Sequence, residues 1–121
     1  MNSRKDLIRE YKRTPKEMGV YRITNTVNGK SYIASSRDIR ARFNRHRMEL
    51  KTRAEPVKSL LADWLEYGEE VFEFEIVDAL EPLEKQGYDP GEDLKVLEAM
   101  WLDKLEPFEP KGYNPRPRQD P

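Results

Sequence analysis

The chain has 121 residues, 36% of them hydrophobic and 37% charged, with a net charge of −1 and no cysteine. That length suits one domain with a single modest core. The missing cysteine excludes disulfides and thiolate metal sites and fits a reducing compartment. No stretch is long and apolar enough to span a membrane, and the opening MNSRKDLIRE lacks the apolar region of a signal peptide. A cytoplasmic protein without a membrane partner is expected.

The near-neutral balance conceals a polarity. Residues 1–53 hold 15 Lys/Arg against 5 Asp/Glu, residues 54–110 hold 4 against 17, and residues 111–121 hold 3 against 1. A basic half of this kind points to a face that binds a polyanion. A salt-bridged surface whose halves neutralise each other is the competing explanation.

In chain order, residues 3–13 (SRKDLIREYKR) carry Leu7, Ile8 and Tyr11 on one side of a short helix that Thr14-Pro15 ends. Residues 19–26 (GVYRITNT) are rich in strand formers. Asn28-Gly29 predicts a two-residue hairpin turn, and KSYIAS (30–35) is the return strand. Ser35-Ser36 offers an N-cap, with Asp38 in the first turn of a helix from Arg37 to about Lys51. Along it Ile39, Phe43, His46 and Leu50 recur on one face. After Pro56 a second helix turns Val57, Leu60, Leu61, Trp64 and Leu65 inward and stops at Gly68. VFEFEIV (71–77) alternates Phe72, Phe74 and Ile76 against Glu73 and Glu75, a third strand with one wet face. Residues 81–90 read as a loop. A last helix starts near Asp89-Pro90, with Asp capping, and runs to about Leu105. The Pro-rich tail is extended beyond Asn114. The fold class is therefore α/β: a small single domain with a three-stranded, mostly antiparallel sheet flanked by helices. Residues 1–18 form an N-terminal extension, 19–114 the domain and 115–121 a flexible tail.

Three positions look wrong for simple packing. Arg42 and His46 stand four apart and share a helix face. Taken singly, His46 fits a half-buried histidine and Arg42 an arginine snorkelling from the stripe edge. Glu98 is sharper, because it falls on the apolar face of the last helix with Leu94, Leu97, Met100, Trp101 and Leu105. An inward carboxylate costs several kcal/mol unless a cation or hydrogen-bond donors meet it. A salt bridge to Arg42 would satisfy it, and so would a divalent metal. Tyr21 and Tyr32 add a phenol on each hairpin strand and, as isolated residues, read as packing tyrosines.

Together, GVY (19–21), YIA (32–34), DIRARFNRH (38–46), a Glu three before Trp101 and GYN (112–114) resemble the GIY-YIG nuclease superfamily over about residues 19–114. Ala34 departs from the pattern, standing where the second motif has its last glycine. The resemblance implies that Tyr21 and Tyr32 lie near the scissile phosphate and orient or deprotonate the attacking water. It implies that Arg42 is the catalytic arginine, that His46 assists one turn later, that Glu98 is the single acidic metal ligand and that Asn114 supports the site. It further implies a metal-dependent endonuclease that cuts DNA with one Mg²⁺ or Mn²⁺ ion and leaves 5′-phosphate and 3′-hydroxyl ends.

These residue types suit that chemistry. Arginine presents a permanently charged planar fork to phosphoryl oxygens, and a hard cation that keeps most of its waters needs few protein ligands. Free tyrosine is a poor base at neutral pH, so Tyr21 is expected to orient water or act as base only with help from Tyr32 or His46. Arg37, Arg40, Arg45 and Arg47, extended by Lys51 and Arg53, would surround Arg42 with generic, salt-sensitive phosphate contacts. A stand-alone domain of this size leaves room for a dimer or protein partner to supply further DNA contacts. The alternative is a catalytically weak or inactive module on the same fold that binds nucleic acid or protein.

Overall fold

The structure, a computed structural model, describes residues 16–117 except 82, 84 and 85. The helix expected at residues 3–13 and the last four residues of the tail lie outside the described residues. Strands β1 (Gly19–Asn25), β2 (Ser31–Ser36) and β3 (Phe72–Ala79) form one sheet in the order β2-β1-β3, antiparallel throughout. Helices α1 (Ile39–Lys51), α2 (Lys58–Tyr67) and α3 (Gly91–Leu105) flank it. Among the described residues, no helix is long and apolar enough to cross a membrane.

Alternation along β1 sorts its side chains to two faces. Tyr21 and Ile23 join Ile39, Leu50, Leu60, Trp64 and Phe72 in the core under α1 and α2. Buried Val20 and Ile33 face the other way, where α3 packs on β1 and β2 with Leu94 buried. The first glycine of GVY has a steric reason: Gly19 has φ 146°, and a Cβ there would lie 2.0 Å from the Asp78 carbonyl oxygen of β3. Any larger residue would hold the two strands apart.

The hairpin turn is longer than Asn28-Gly29 predicts. The Asn25 amide donates to the Lys30 carbonyl at 2.9 Å and leaves residues 26–29 as the loop. Buried Asn25 shapes it, its Oδ1 accepting the Val27 and Asn28 amides at 2.9 and 3.4 Å. Only Gly29 in this loop takes a positive φ, 79°.

Helix α1 begins two residues later than expected. Asp38 is its N-cap and accepts the Ala41 amide at 3.2 Å, while the Ser36 hydroxyl accepts the Asp38 amide at 3.0 Å. Helix α3 likewise starts at Gly91, whose amide donates to Asp89 at 2.9 Å.

Three apolar residues expected inside are exposed: Leu65, Ile76 and Met100. Ile76 keeps the face of Phe72 and Phe74, paired with Tyr21 ahead of the register shift, but lies on β3 at the edge of the sheet. Leu65 follows buried Trp64 by about 100° of helix and so falls at the edge of α2. Met100 lies about 120° from Leu94, outside the sector that Glu98 and Trp101 share with it.

Candidate active site

The site forms where α1 crosses the face of β1 and β2. Cross-strand register places Tyr21 opposite Ala34 and Ile23 opposite Tyr32. The two phenol rings are thus diagonal neighbours, 6.4 Å between centroids. His46 projects from α1 between them, its ring 5.6 Å from that of Tyr21 and 5.8 Å from that of Tyr32. Its Nε2 lies 2.8 Å from the Tyr21 hydroxyl oxygen. Phe43 closes the inner wall edge-on to Tyr21, at 5.5 Å. Arg42, one turn before His46, reaches the same place from the solvent side. A cavity of about 60 Å³ is lined by Tyr32, Arg42, His46 and Glu55 among others.

Electrostatics set the phenols' protonation. Burial pushes Tyr21 far above the ordinary phenol range, the neighbouring Tyr32 adds to this, and Arg42 beside its hydroxyl pulls it only partly back. Burial also raises Tyr32, Arg42 lowers it, and the carboxylates of Glu55 and Glu98 raise it further. Both phenols therefore stay neutral near pH 7.

Glu98 arrives from the opposite face. Helix α3 packs on the far side of the sheet, and its half-buried Glu98 accepts the Ser35 amide at 2.9 Å on the outer edge of β2. No ion pair joins it to Arg42 among the described residues; the two charges instead bear on the same phenol, Tyr32. No donor among the described residues meets the second carboxylate oxygen of Glu98. Among the described residues no three metal-ligating groups cluster anywhere, so a cation here would have this one carboxylate and otherwise water. A hard ion that keeps most of its hydration shell fits that donor set.

Asn114 lies at the same edge and does not line the cavity. Its Oδ1 accepts the Ile33 amide at 2.9 Å and its Nδ2 donates to the Ile33 carbonyl at 2.7 Å, in place of a fourth strand. The Tyr113 amide donates to the Ser31 carbonyl at 2.9 Å. Gly112 makes that approach feasible, since a Cβ would lie 2.3 Å from the Pro107 carbonyl oxygen. Asn114 thus acts on β2, and through it on Tyr32.

The basic residues divide between two edges of α1. At about 100° per residue, Arg45 flanks Arg42 on the cavity side, whereas Arg40, Arg47 and Lys51 lie on the other side of the buried stripe. Arg45 pairs with Glu49 at 2.6 Å, Arg37 pairs with Asp89, and the Arg47 guanidinium stacks 4.3 Å over the Phe74 ring. Arg53, past the end of α1, is exposed with φ 62°. Arg40 and Lys51 are exposed on the helix surface.

One residue at the site carries no sequence signal. Glu55, wholly buried between α1 and α2, places Oε2 3.0 Å from His46 Nδ1. It belongs to neither a periodic stripe nor a motif; only its place before Pro56, in a short inter-helix link, hinted at a fixed conformation.

Comparisons with known proteins place the fold. No curated protein sequence matches the chain. Two solved structures are similar. One is titled as the catalytic domain of intron endonuclease I-TevI in mutant form, with 26% identity, TM-score 0.68, and 81% of this chain and 92% of that one covered. The other is titled as the catalytic domain of homing endonuclease I-TevI, with 27% identity, TM-score 0.65, and coverage of 80% and 96%. A family model described as the GIY-YIG catalytic domain matches residues 17–114, and the chain belongs to that family.

Proposed function

We propose that the protein is a metal-dependent endonuclease that hydrolyses phosphodiester bonds in DNA, leaving 5′-phosphate and 3′-hydroxyl ends. The observation that carries this reading is convergence: Tyr32, Arg42 and His46 line one small cavity, the buried Tyr21 hydroxyl lies against His46 just behind it, and the Glu98 charge reaches Tyr32 from the other side of the sheet. A merely structural scaffold has no packing reason to gather a guanidinium, an imidazole and two neutral phenols there.

Each group has a task. The Arg42 fork binds two phosphoryl oxygens and balances the charge that grows on them as water attacks phosphorus, an effect worth about 10³–10⁵ in rate where arginine serves other phosphoryl transfers. The Tyr21 hydroxyl, held by His46, orients that water, and Tyr32 steadies the opposite side. Glu98 would hold Mg²⁺ or Mn²⁺, one ion, which when bound supplies Lewis acidity and stabilises the departing 3′ oxygen. Asn114 keeps β2 in register for Tyr32. Arg37, Arg40, Arg45, Arg47, Lys51 and Arg53 supply generic phosphate contacts; the exposed pairs Arg37–Asp89 and Arg45–Glu49 are weak enough to exchange for DNA phosphates.

The test is incubation of labelled single- and double-stranded DNA with the protein, with Mg²⁺, with Mn²⁺ and with chelator, beside Glu98→Ala and Arg42→Ala. Cleavage that needs the ion and both side chains is expected. Cleavage that persists in Glu98→Ala, or binding without cleavage under every metal, would refute the reading.

A further inference from the structure

We infer that Glu55 is a positioning residue for the hydrolysis: it fixes His46 as the Nδ1–H tautomer, so that Nε2 accepts the Tyr21 proton while the Tyr21 oxygen takes a proton from the attacking water. This rests on the nuclease reading above and adds to it a residue outside the five sequence elements that carry the resemblance.

With the ring neutral and Glu55 ionised, the geometry fixes the tautomer. His46 is held at both ring nitrogens, 3.0 Å from a Glu55 carboxylate oxygen and 2.8 Å from the Tyr21 hydroxyl. A carboxylate only accepts hydrogen bonds, so Nδ1 must carry hydrogen and the neutral ring is left with its lone pair on Nε2. The phenol then has one role open to it towards the ring, donation to Nε2, and its oxygen is left to accept from Arg42, whose side chain lines the cavity.

Glu55 is poorly explained as packing. Its side chain is 1% exposed, and burying a carboxylate costs several kcal/mol unless it is met. Among the described residues no Lys or Arg side chain pairs with it; His46 meets Oε2, and the Val57 amide lies 3.4 Å from Oε1. The link holds it rigidly, the Ala54 and Glu55 amides both donating to the Glu49 carbonyl, at 2.7 and 3.2 Å. A loop anchor would need neither an imidazole partner nor complete burial.

The proton balance closes. The water O–H bond breaks as its oxygen bonds phosphorus, and that proton passes to the phenol oxygen. The phenol's proton passes to His46 Nε2, and the resulting imidazolium faces the Glu55 carboxylate. The P–O3′ bond breaks, the leaving oxygen is protonated from solvent, and His46 later returns its proton there. Such a relay answers the difficulty of Tyr21, whose burial opposes ionisation in isolation: the phenol never becomes a free phenolate.

The chain has a single histidine, so its two-bond ¹H–¹⁵N spectrum contains one imidazole. The experiment records that spectrum at about pH 8, above the ordinary histidine range, together with DNA affinity and single-turnover cleavage for wild type, Glu55→Gln and Glu55→Asp. The wild-type ring should be the Nδ1–H tautomer. Glu55→Gln, whose amide can donate to Nδ1, should populate Nε2–H and lose at least about 100-fold in cleavage rate at saturating DNA, with affinity within about twofold. Glu55→Asp, which keeps an acceptor, should retain the tautomer and recover part of the rate. An Nε2–H ring in the wild type overturns this inference alone, as does a folded Glu55→Gln within about threefold of the wild-type rate. Should Glu55→Gln fail to fold, the wild-type spectrum and Glu55→Asp still decide. Absence of cleavage by the wild type overturns the nuclease reading and the kinetic half of the inference together.

Discussion

Replacing Asn114 with alanine strips two hydrogen bonds from the outer edge of β2. The Asn114 amide serves both the N–H and the C=O of Ile33, at 2.9 and 2.7 Å, with Asn114 6% and Ile33 1% exposed. A buried backbone group left without a partner costs about 1–3 kcal/mol, so two orphaned groups should cost about 2–6 kcal/mol. That is a large share of the roughly 5–15 kcal/mol that holds a domain of this size folded. Each kcal/mol moves the melting temperature of such a domain by about 4–8 °C, so a fall of at least about 8 °C is expected. Urea titration of wild type and Asn114→Ala gives the difference directly, and the slope should stay unchanged because the same surface unfolds. A loss below about 0.5 kcal/mol, the range of ordinary surface substitutions, would refute the reasoning. The fold would then tolerate an open β2 edge, and the asparagine would have to act elsewhere.

Other outcomes follow from the same structure. Arg42→Ala should lower cleavage by about 10³-fold or more while shifting stability by less than about 1 kcal/mol, because its guanidinium reaches the cavity from the solvent side. Arg40→Ala and Lys51→Ala should each reduce the salt slope of DNA binding by about one and leave the rate at saturating DNA unchanged, which a salt-titrated binding assay would check. Burial raises the phenols of Tyr21, Tyr32 and Tyr113 above the value an unfolded chain shows. Their stabilising contribution is therefore complete below about pH 10 and is lost as pH rises, since the unfolded chain releases protons that the folded one retains. Melting temperature should fall steeply in that alkaline range, and less steeply in Tyr21→Phe; equal slopes would count against the burial argument. Arg53 takes a left-handed conformation at φ 62°, so Arg53→Gly should stabilise by up to about 1 kcal/mol in urea titration.

Local rules made much of the fold legible. The strand composition of GVYRITN, the helical spacing of Ile39, His46 and Leu50, and the alternation of Phe72 and Phe74 each named an element whose burial the structure bears out. What failed was what local rules do not contain. The hairpin loop answers to the buried Asn25 amide more than to Asn28-Gly29, and Ile76 keeps the inner face of β3 yet is exposed because pairing leaves β3 at the sheet edge. The inward Glu98 was visible from helix periodicity, yet its partner is a backbone amide on another element, which no periodicity shows. Glu55 was invisible because its meaning comes wholly from His46, nine residues earlier, through a link with no repeating pattern.

The most direct measurement is a crystal structure of Glu98→Ala bound to uncleaved DNA. The expected result is a backbone phosphate against the Arg42 guanidinium, with one nonbridging oxygen towards the vacated Glu98 position and the Tyr21 hydroxyl in line with the P–O3′ bond. DNA seated instead along Arg40, Arg47 and Lys51, with no phosphate in the cavity of Tyr32, Arg42 and His46, would contradict the assignment of this cavity as the place where the phosphodiester is cut.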